Sequence, residues 1–373
     1  MYMGYVQGAG SNPWTGSIAR ALENRSLKWE TTDTKNIGFD FGLFGNHLNG
    51  NINYYINETR DLLITRRIAP SAGLDNPTLN VGKMRNQGFE LELNWNDKIS
   101  DFEYNVGFNI STIANKVVAL ANEDQTIYGV GLKYGSEHFP TQTKVGKPIG
   151  AFYLYQADGI FQSLEEVQAH KNSKGELLQP NAQPGDVRFK DMNGDGVIDE
   201  DDKVYSGTGI AKVEANLNLG ASYKGFDFSA VIGSAFGNKL YNGIRYYYEG
   251  MNSGSNFLKT TLNAWTPTNT KTDIPRAVFG DPNQNTREST RFLENGDFVR
   301  LRQVQLGYTL PKALSKQIYC ESIRFYVSAE NVFTITGYSG ANPEFSQGVL
   351  NSGIDRFTYP FSRSYTVGAQ VSF

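Results

Sequence analysis

Apolar and polar residues alternate without a break over the last ten positions. Tyr365, Val367, Ala369, Val371 and Phe373 fall on one side, and Ser364, Thr366, Gly368, Gln370 and Ser372 on the other. A period of two predicts a β-strand with one apolar and one polar face. Two settings accept such a strand: a sheet in water with a core on one side, or a membrane barrel with lipid outside and a polar lumen inside. The same division recurs upstream. Residues 37–45 place Phe39, Phe41 and Leu43 together, and after Gly45-Asn46-His47 the next run sets Ile52, Tyr54 and Ile56 against Asn51, Asn53 and Tyr55, which predicts a hairpin. Residues 87–96 and the Tyr104, Val106, Phe108, Ile110 run predict a second. Residues 140–145 and 149–156, around Gly146-Lys147-Pro148, predict a third and weaker pair. Residues 216–223 and 226–232 flank Lys224-Gly225 as a fourth, and residues 297–310 and 322–333 form a fifth, joined by a segment in which Pro311 opens a helical turn.

The fold class that follows is all-β, an antiparallel transmembrane barrel portion of about eleven strands. At roughly ten residues each, they have nearly the length a tilted strand needs to cross a bilayer. Turns after Gly45, Asn96, Val145, Tyr223 and Leu310 are short, whereas residues 59–85, 157–213, 237–296 and 334–363 form long loops. Short turns on one rim and long loops on the other describe an outer-membrane barrel; loops of that length are uncommon on every second connection of a soluble sheet. The polar faces carry Asn94, Asn96, Asn105, Asn109, Asn216, Asn218 and Gln370, which suit a wet lumen.

Composition narrows the partners. The 373 residues carry 35 Lys and Arg against 38 Asp and Glu, dispersed and with a net charge of -3, so nucleic acid is not an expected partner. No apolar run reaches the roughly 18 to 20 residues of a membrane helix, and any spanning is by strands. Cys320 stands alone, which excludes a disulfide framework and a cysteine-based zinc site. Residues 1–5 show neither the basic nor the apolar region of a secretion signal, so the expectation is an intracellular protein or a piece of a longer chain. No enzyme and no organic cofactor are expected: His47, His138 and His170 are scattered, and Glu90 and Glu92 share one regular strand face.

Two stretches carry candidate chemistry. Asp191, Asn193, Asp195, Gly196, Val197, Asp199 and Asp202 stand at positions 1, 3, 5, 6, 7, 9 and 12 of an EF-hand-type loop, whose oxygens suit a structural Ca2+. Position 12 is Asp rather than Glu, so its shorter arm reaches such an ion through one oxygen or with some tightening of the loop, and no helix precedes the loop; a static clip is expected, not a switch. Tyr246, Tyr247 and Tyr248, with Tyr241 and Trp265, are candidate substrate-binding residues, able to stack on sugar rings or peptide side chains. The Ser163-Leu164-Glu165-Glu166 spacing predicts a capped short helix.

The stretches Asn80-Val81-Gly82-Lys83-Met84-Arg85-Asn86-Gln87-Gly88-Phe89-Glu90, Ala157-Asp158-Gly159-Ile160-Phe161, Pro184-Gly185-Asp186-Val187-Arg188-Phe189, Asp191-Met192-Asn193-Gly194-Asp195-Gly196, Trp265-Thr266-Pro267 and Phe298-Val299-Arg300-Leu301-Arg302 resemble the SusC/RagA family of TonB-dependent outer-membrane transporters. The resemblance covers nearly the whole chain in family order. It implies a 22-stranded barrel of the cell outer membrane, with a plug, that imports glycans or peptides beneath a SusD-like surface lipoprotein, energised by the TonB complex. It also implies that the terminal strand, with Tyr365, Val367, Ala369, Val371 and Phe373, is the signal read by the barrel-assembly machinery. Residues 1–373 then correspond to the C-terminal portion of the barrel, in contact with outer-membrane lipid, without plug or first strands. The alternative is a secreted, calcium-stabilised β-sheet binding module with no transport role.

Overall fold

The computed structural model describes residues 2–7, 13–18, 20, 24–65, 68, 70–120, 126–134, 136–252, 254, 256–345 and 347–373. Its largest element is one antiparallel sheet of ten strands: β1 (Thr31–Leu43), β2 (Leu48–Arg60), β3 (Gly82–Ile99), β4 (Phe102–Thr112), β5 (Ala114–Leu120), β6 (Val213–Tyr223), β7 (Phe226–Phe236), β8 (Phe298–Thr309), β9 (Ser322–Thr336) and β10 (Ser364–Ser372). The spatial order is β10-β9-β8-β7-β6-β4-β3-β2-β1, and β5 prolongs β4 along the far half of β3. Neighbours in space are thus neighbours in sequence, an up-and-down meander. It is an open wall, with β1 and β10 as its two edges.

The register turns the period-two pattern of each strand into continuous faces. Phe39 lies opposite Ile52, Ile52 opposite Leu91, Leu91 opposite Ile110 and Ile110 opposite Ala215. One residue along, Asp40, Asn51, Glu92, Asn109 and Asn216 form the next row, on the other side of the pleat. Amides and carboxylates on that side bond one another: Asn51 Nδ2 and Asn94 Nδ2 donate to Glu92 at 3.2 and 3.0 Å, and Asn216 Nδ2 to Asn109 Oδ1 at 2.9 Å. The apolar face has no protein over it, with Phe39 66% and Val367 84% exposed. At one rim it ends in aromatics, where Phe102 faces Tyr223, Tyr223 faces Phe226, Phe226 faces Tyr308 and Tyr308 faces Phe325. An aromatic row along the end of an apolar band is one feature of membrane barrels.

Connections at the aromatic rim are tight except for residues 310–321 between β8 and β9. Lys224 and Gly225 both have positive φ, 47° and 89°, which gives the two-residue turn that matches strand twist. Pro311 does precede a helical turn, Lys312–Ser315. The described residues within 61–81, 121–212, 237–297 and 337–363 all lie beyond the opposite rim, as the strand parity demands, and fold together into a cap. The hydrophobic core of the chain lies in this cap. One cluster joins Leu132, Phe152, Leu154, Tyr241, Tyr246, Phe292 and Ile354; a second joins Ile64, Val81, Val117, Leu120, Ile127 and Ile149.

The third predicted hairpin is the correction. Thr141–Thr143 and Ala151–Leu154 do pair, but in a separate sheet with Ile127–Tyr128 and Val204–Gly207, inside the cap. Their residues are buried on both faces, whereas a wall strand has one apolar, uncovered face and one polar face. The loop expected over residues 157–213 therefore begins after β5, and the wall has nine crossings among the described residues, with β4 and β5 taken as one, instead of about eleven. The short helix appears as Leu164–Ala169, with the Glu166 N–H donating to Ser163 Oγ at 3.3 Å. Among the described residues no helix is long and apolar enough to cross a membrane.

Candidate functional site

The polar face of the wall meets the cap in a cleft of about 350 Å³. β6 contributes Glu214 and Asn216, β7 Ser234 and Ala235, β8 Phe298 and Arg302, and the 337–363 loop Pro343, Glu344 and Phe345. A break in register makes the charged part of the cleft. Leu301 pairs with Phe333 and Gln303 with Glu330, so Arg302 faces the unmatched Asn331-Val332, with Asn331 in the left-handed region at φ 51°. Such a bulge re-aims side chains. Here two guanidinium groups converge on one carboxylate, Arg300 Nη1 donating to Glu344 Oε2 at 2.8 Å and Arg302 Nη2 to Glu344 Oε1 at 2.9 Å. Arg300 also donates to Asn342 Oδ1 at 2.6 Å and Thr334 Oγ1 at 2.9 Å, and its guanidinium lies 4.8 Å from the Phe361 ring centre. The 337–363 loop is strapped to the inner wall through these contacts. Arg300 and Arg302 belong to the Phe298-Val299-Arg300-Leu301-Arg302 stretch, but nothing local in sequence shows their role, because Glu344 lies more than forty residues on.

Buried charges bind the cap loops to one another. Glu288 and Lys203 have side chains only 3% and 2% exposed and form an ion pair; His138 Nδ1 lies 2.5 Å from the other oxygen of Glu288. Burial alone would raise the Glu288 carboxyl. The hydrogen bond from His138 and the charge of Lys203 outweigh it and hold the group at about 2. The same strip is stitched by main chain, Tyr155 N–H to the Glu288 carbonyl at 3.1 Å and Thr290 N–H to the Tyr155 carbonyl at 2.9 Å. Asp186, fully buried, accepts both arms of Arg276 at 2.8 and 3.1 Å and Asn285 Nδ2 at 2.9 Å. A polar pocket of about 730 Å³ within the cap is lined by Arg245, Glu249, Asp273, Glu294 and Ser339 among others. Burial lowers the Arg291 guanidinium beside it to about 10, even against the pull of Glu249.

The aromatic candidates divide. Tyr241 and Tyr246 have no exposed surface and pack on Phe292 with ring centres 5.9 and 5.6 Å away, so they are core residues and cannot stack on a ligand. Trp265 is 8% exposed, donates from Nε1 to Gln162 Oε1 at 2.9 Å, and would collide with any side chain at Gly185. Tyr247 and Tyr248 are the two that retain surface, both packed against Phe357. Their neighbourhood in sequence promises a cluster; tertiary burial takes Tyr241, Tyr246 and Trp265 into the core.

The acidic loop folds on itself. Asp191 accepts the N–H groups of Gly194 and Gly196 at 2.6 and 2.9 Å, Asp195 accepts that of Val197 at 2.9 Å, and Asn193 Oδ1 that of Asp195 at 2.9 Å. Asp202, buried, accepts Met192 and Asn193 on Oδ1 and Asp199 on Oδ2. Its Asp199 neighbour caps the following turn. The donor set is all oxygen and fits a hard cation in kind, with Asp202 able to offer one further lone pair on Oδ2. Among the described residues no three His, Cys, Asp or Glu side chains converge as a metal site, so a cation here would draw on Asn193 and the Val197 carbonyl as well. In the terminal strand, Tyr365, Val367 and Val371 lie on the exposed apolar face and Phe373 is 91% exposed.

Comparison with known proteins places this architecture. The family description TonB dependent receptor-like, beta-barrel matches residues 1–332. The chain is 30% identical over 377 residues to TonB-dependent receptor P3 of Formosa agariphila, covering 98% of this chain and 36% of the relative. It is 28% identical over 361 residues to TonB-dependent receptor SusC of Bacteroides thetaiotaomicron, covering 94% and 32%. The solved structure of the RagAB peptide transporter superposes with a TM-score of 0.78 at 25% identity, over 100% of this chain and 38% of that one. The chain spans about a third of the length of the curated relatives it matches.

Proposed function

We propose, from the premise that this chain belongs to the TonB-dependent receptor-like β-barrel family, that it supplies barrel wall and extracellular recognition loops to an outer-membrane importer of peptides or glycans. The observation that carries the reading is the division of the meander. One face is apolar and uncovered, the other polar, and the long loops gather over one rim, with the 337–363 loop strapped to the polar face. A polar lumen lets a hydrated cargo pass, and a cap over its mouth selects what enters. In the whole protein a SusD-like lipoprotein closes over this cap, the TonB complex acts through the plug, and the barrel-assembly machinery engages Tyr365 to Phe373.

Peptide is the favoured cargo. The cleft presents Glu214 and Glu344 beside Arg302, fixed charges of both signs that match the charged ends and side chains of an oligopeptide. A related structure is also that of a peptide transporter. In cells expressing the full-length protein with its lipoprotein, Arg302→Ala together with Glu344→Ala is expected to reduce uptake of labelled oligopeptides about tenfold or more, the loss of one or two charge-assisted contacts. Undiminished peptide uptake, with the protein present in the outer-membrane fraction, rejects the cleft as the recognition site; uptake of oligosaccharides alone turns the assignment to glycans.

The acidic loop completes the reading as a calcium clip, with Asp191, Asn193, Asp195, Asp202 and the Val197 carbonyl as ligands and Asp199 at the position that commonly acts through water. An ion at one hundred times its dissociation constant stabilises the folded loop by about 2.7 kcal/mol. Chelation of the full-length protein is expected to open residues 191–202 to protease, reversed by Ca2+ and not by Mg2+. Cleavage that ignores both chelator and ion removes the clip.

A further inference from the structure

The apolar face of the wall does not stay apolar to the loop rim. Above Tyr54 and Phe89 it changes to a charged row in which Asp33 faces Glu58, Glu58 faces Arg85 and Arg85 faces Lys116, across four consecutive strands. Strand parity puts these side chains on the outward face, the same as Ile37, Tyr54 and Phe89. Arg60 pairs with Asp33, Lys83 Nζ with Glu58 at 2.6 Å, and Arg85 Nε with Glu58 at 2.9 Å. Lys35, one pleat below, and Lys116 have no ion-pair partner among the described residues, and both are exposed. Five cations thus share two carboxylates. Arg85 and Lys116 stand directly opposite one another, and Glu58 is taken up by Arg85 and Lys83, so the charge of Lys116 is left for an anion from outside.

We infer that this outward-facing basic patch binds the phosphate groups of a phosphorylated glycolipid in the outer leaflet of the membrane. The inference rests on the outer-membrane reading above. Its position argues for a lipid: from Leu48 to Glu58 the strand climbs about 33 Å along its own axis. With the tilt of a barrel strand, that is a rise of about 23–27 Å, which puts the patch at the edge of a hydrocarbon band about 25 Å tall. The apolar band continues directly into it, so acyl chains lying on Ile37, Phe39, Ile52 and Phe89 bring their phosphorylated head to Lys35, Arg85 and Lys116. The patch lies on the opposite side of the wall from Glu214, Arg302 and Glu344, so it takes no part in cargo recognition.

The test uses the full-length protein, purified in mild detergent and titrated with diphosphorylated lipid A, its dephosphorylated form, and inorganic phosphate. Lys35→Gln with Lys116→Gln removes the two unpaired cations and leaves the Glu58 and Asp33 pairs in place. The wild type is expected to bind lipid A at least about tenfold more tightly than either the dephosphorylated lipid or the double variant does, with no competition from inorganic phosphate. Equal binding of the dephosphorylated lipid, equal binding by the variant, or displacement by inorganic phosphate overturns it. Heat-modifiable electrophoretic mobility reports that the variant barrel is folded. Protein found in the outer-membrane fraction with unaltered lipid A retention sinks this inference alone, whereas absence from that fraction sinks the importer reading beneath it.

Discussion

Glu288→Ala should cost the cap about 3–5 kcal/mol, the range for removing one partner of a buried ion pair. Glu288 comes from the 237–297 loop and Lys203 and His138 from the 121–212 loop, and the carboxylate is the common partner of both. Lys203 keeps an alternative in Glu200 at 2.7 Å, but that carboxylate is largely exposed and holds it on one side only. The variant therefore leaves an ammonium group under Tyr155, 5.2 Å from its ring centre, without its buried counter-charge. Acid provides an independent reading of the same pair. The Glu288 carboxyl is depressed from 4.5 to about 2, so its contribution is complete above the unfolded value and disappears as the pH falls through the folded one. Wild-type protein should lose cap protection from protease between about pH 4.5 and 2, while Glu288→Gln, already weakened, should show a smaller loss over that window. A variant as protease-resistant as the wild type at neutral pH would mean that the ion pair does not hold the cap.

Phe292→Ala is expected to destabilise the cap by about 3–5 kcal/mol, as large aromatic truncations in a packed core do. Phe292 is fully buried at the centre of the cluster that joins the 121–212, 237–297 and 337–363 loops through Phe152, Tyr241, Tyr246 and Ile354. The wall is held by another force, the hydrogen-bonded ladder of β1 to β10. Truncation should separate the two, giving an early transition in loop proteolysis or intrinsic fluorescence while heat-modifiable mobility of the barrel stays unchanged. Loss of both together would show that the cap core also supports the wall. Peptide uptake should fall with the early transition, because Glu344 is carried by one of the loops that this cluster positions.

The wall was legible in the sequence because its physics is local. A strand with lipid on one side and water on the other must alternate with period two, and each hairpin's partner is the next strand along, so residues 37–56, 87–110, 216–232 and the terminal strand announced themselves without knowledge of anything distant. The capped helix after Ser163 and the turn after Pro311 were equally local. The cap was not. Thr141–Thr143 and Ala151–Leu154 carry a hairpin signal that any sheet would accept, and only burial on both faces assigns them to the cap. Tyr241 and Tyr246 carry the aromatic signal of a binding loop, and only their packing against Phe292 makes them core. The cleft and the outward basic patch depend on residues that pairing register and loop closure bring together, Arg302 with Glu344 and Arg85 with Lys116. The sequence by itself thus determined which residues face which side of the wall, since the pleat enforces that residue by residue. Tertiary structure alone decided what stands over the lumen, because contacts between distant loops depend on three-dimensional closure that no local period encodes.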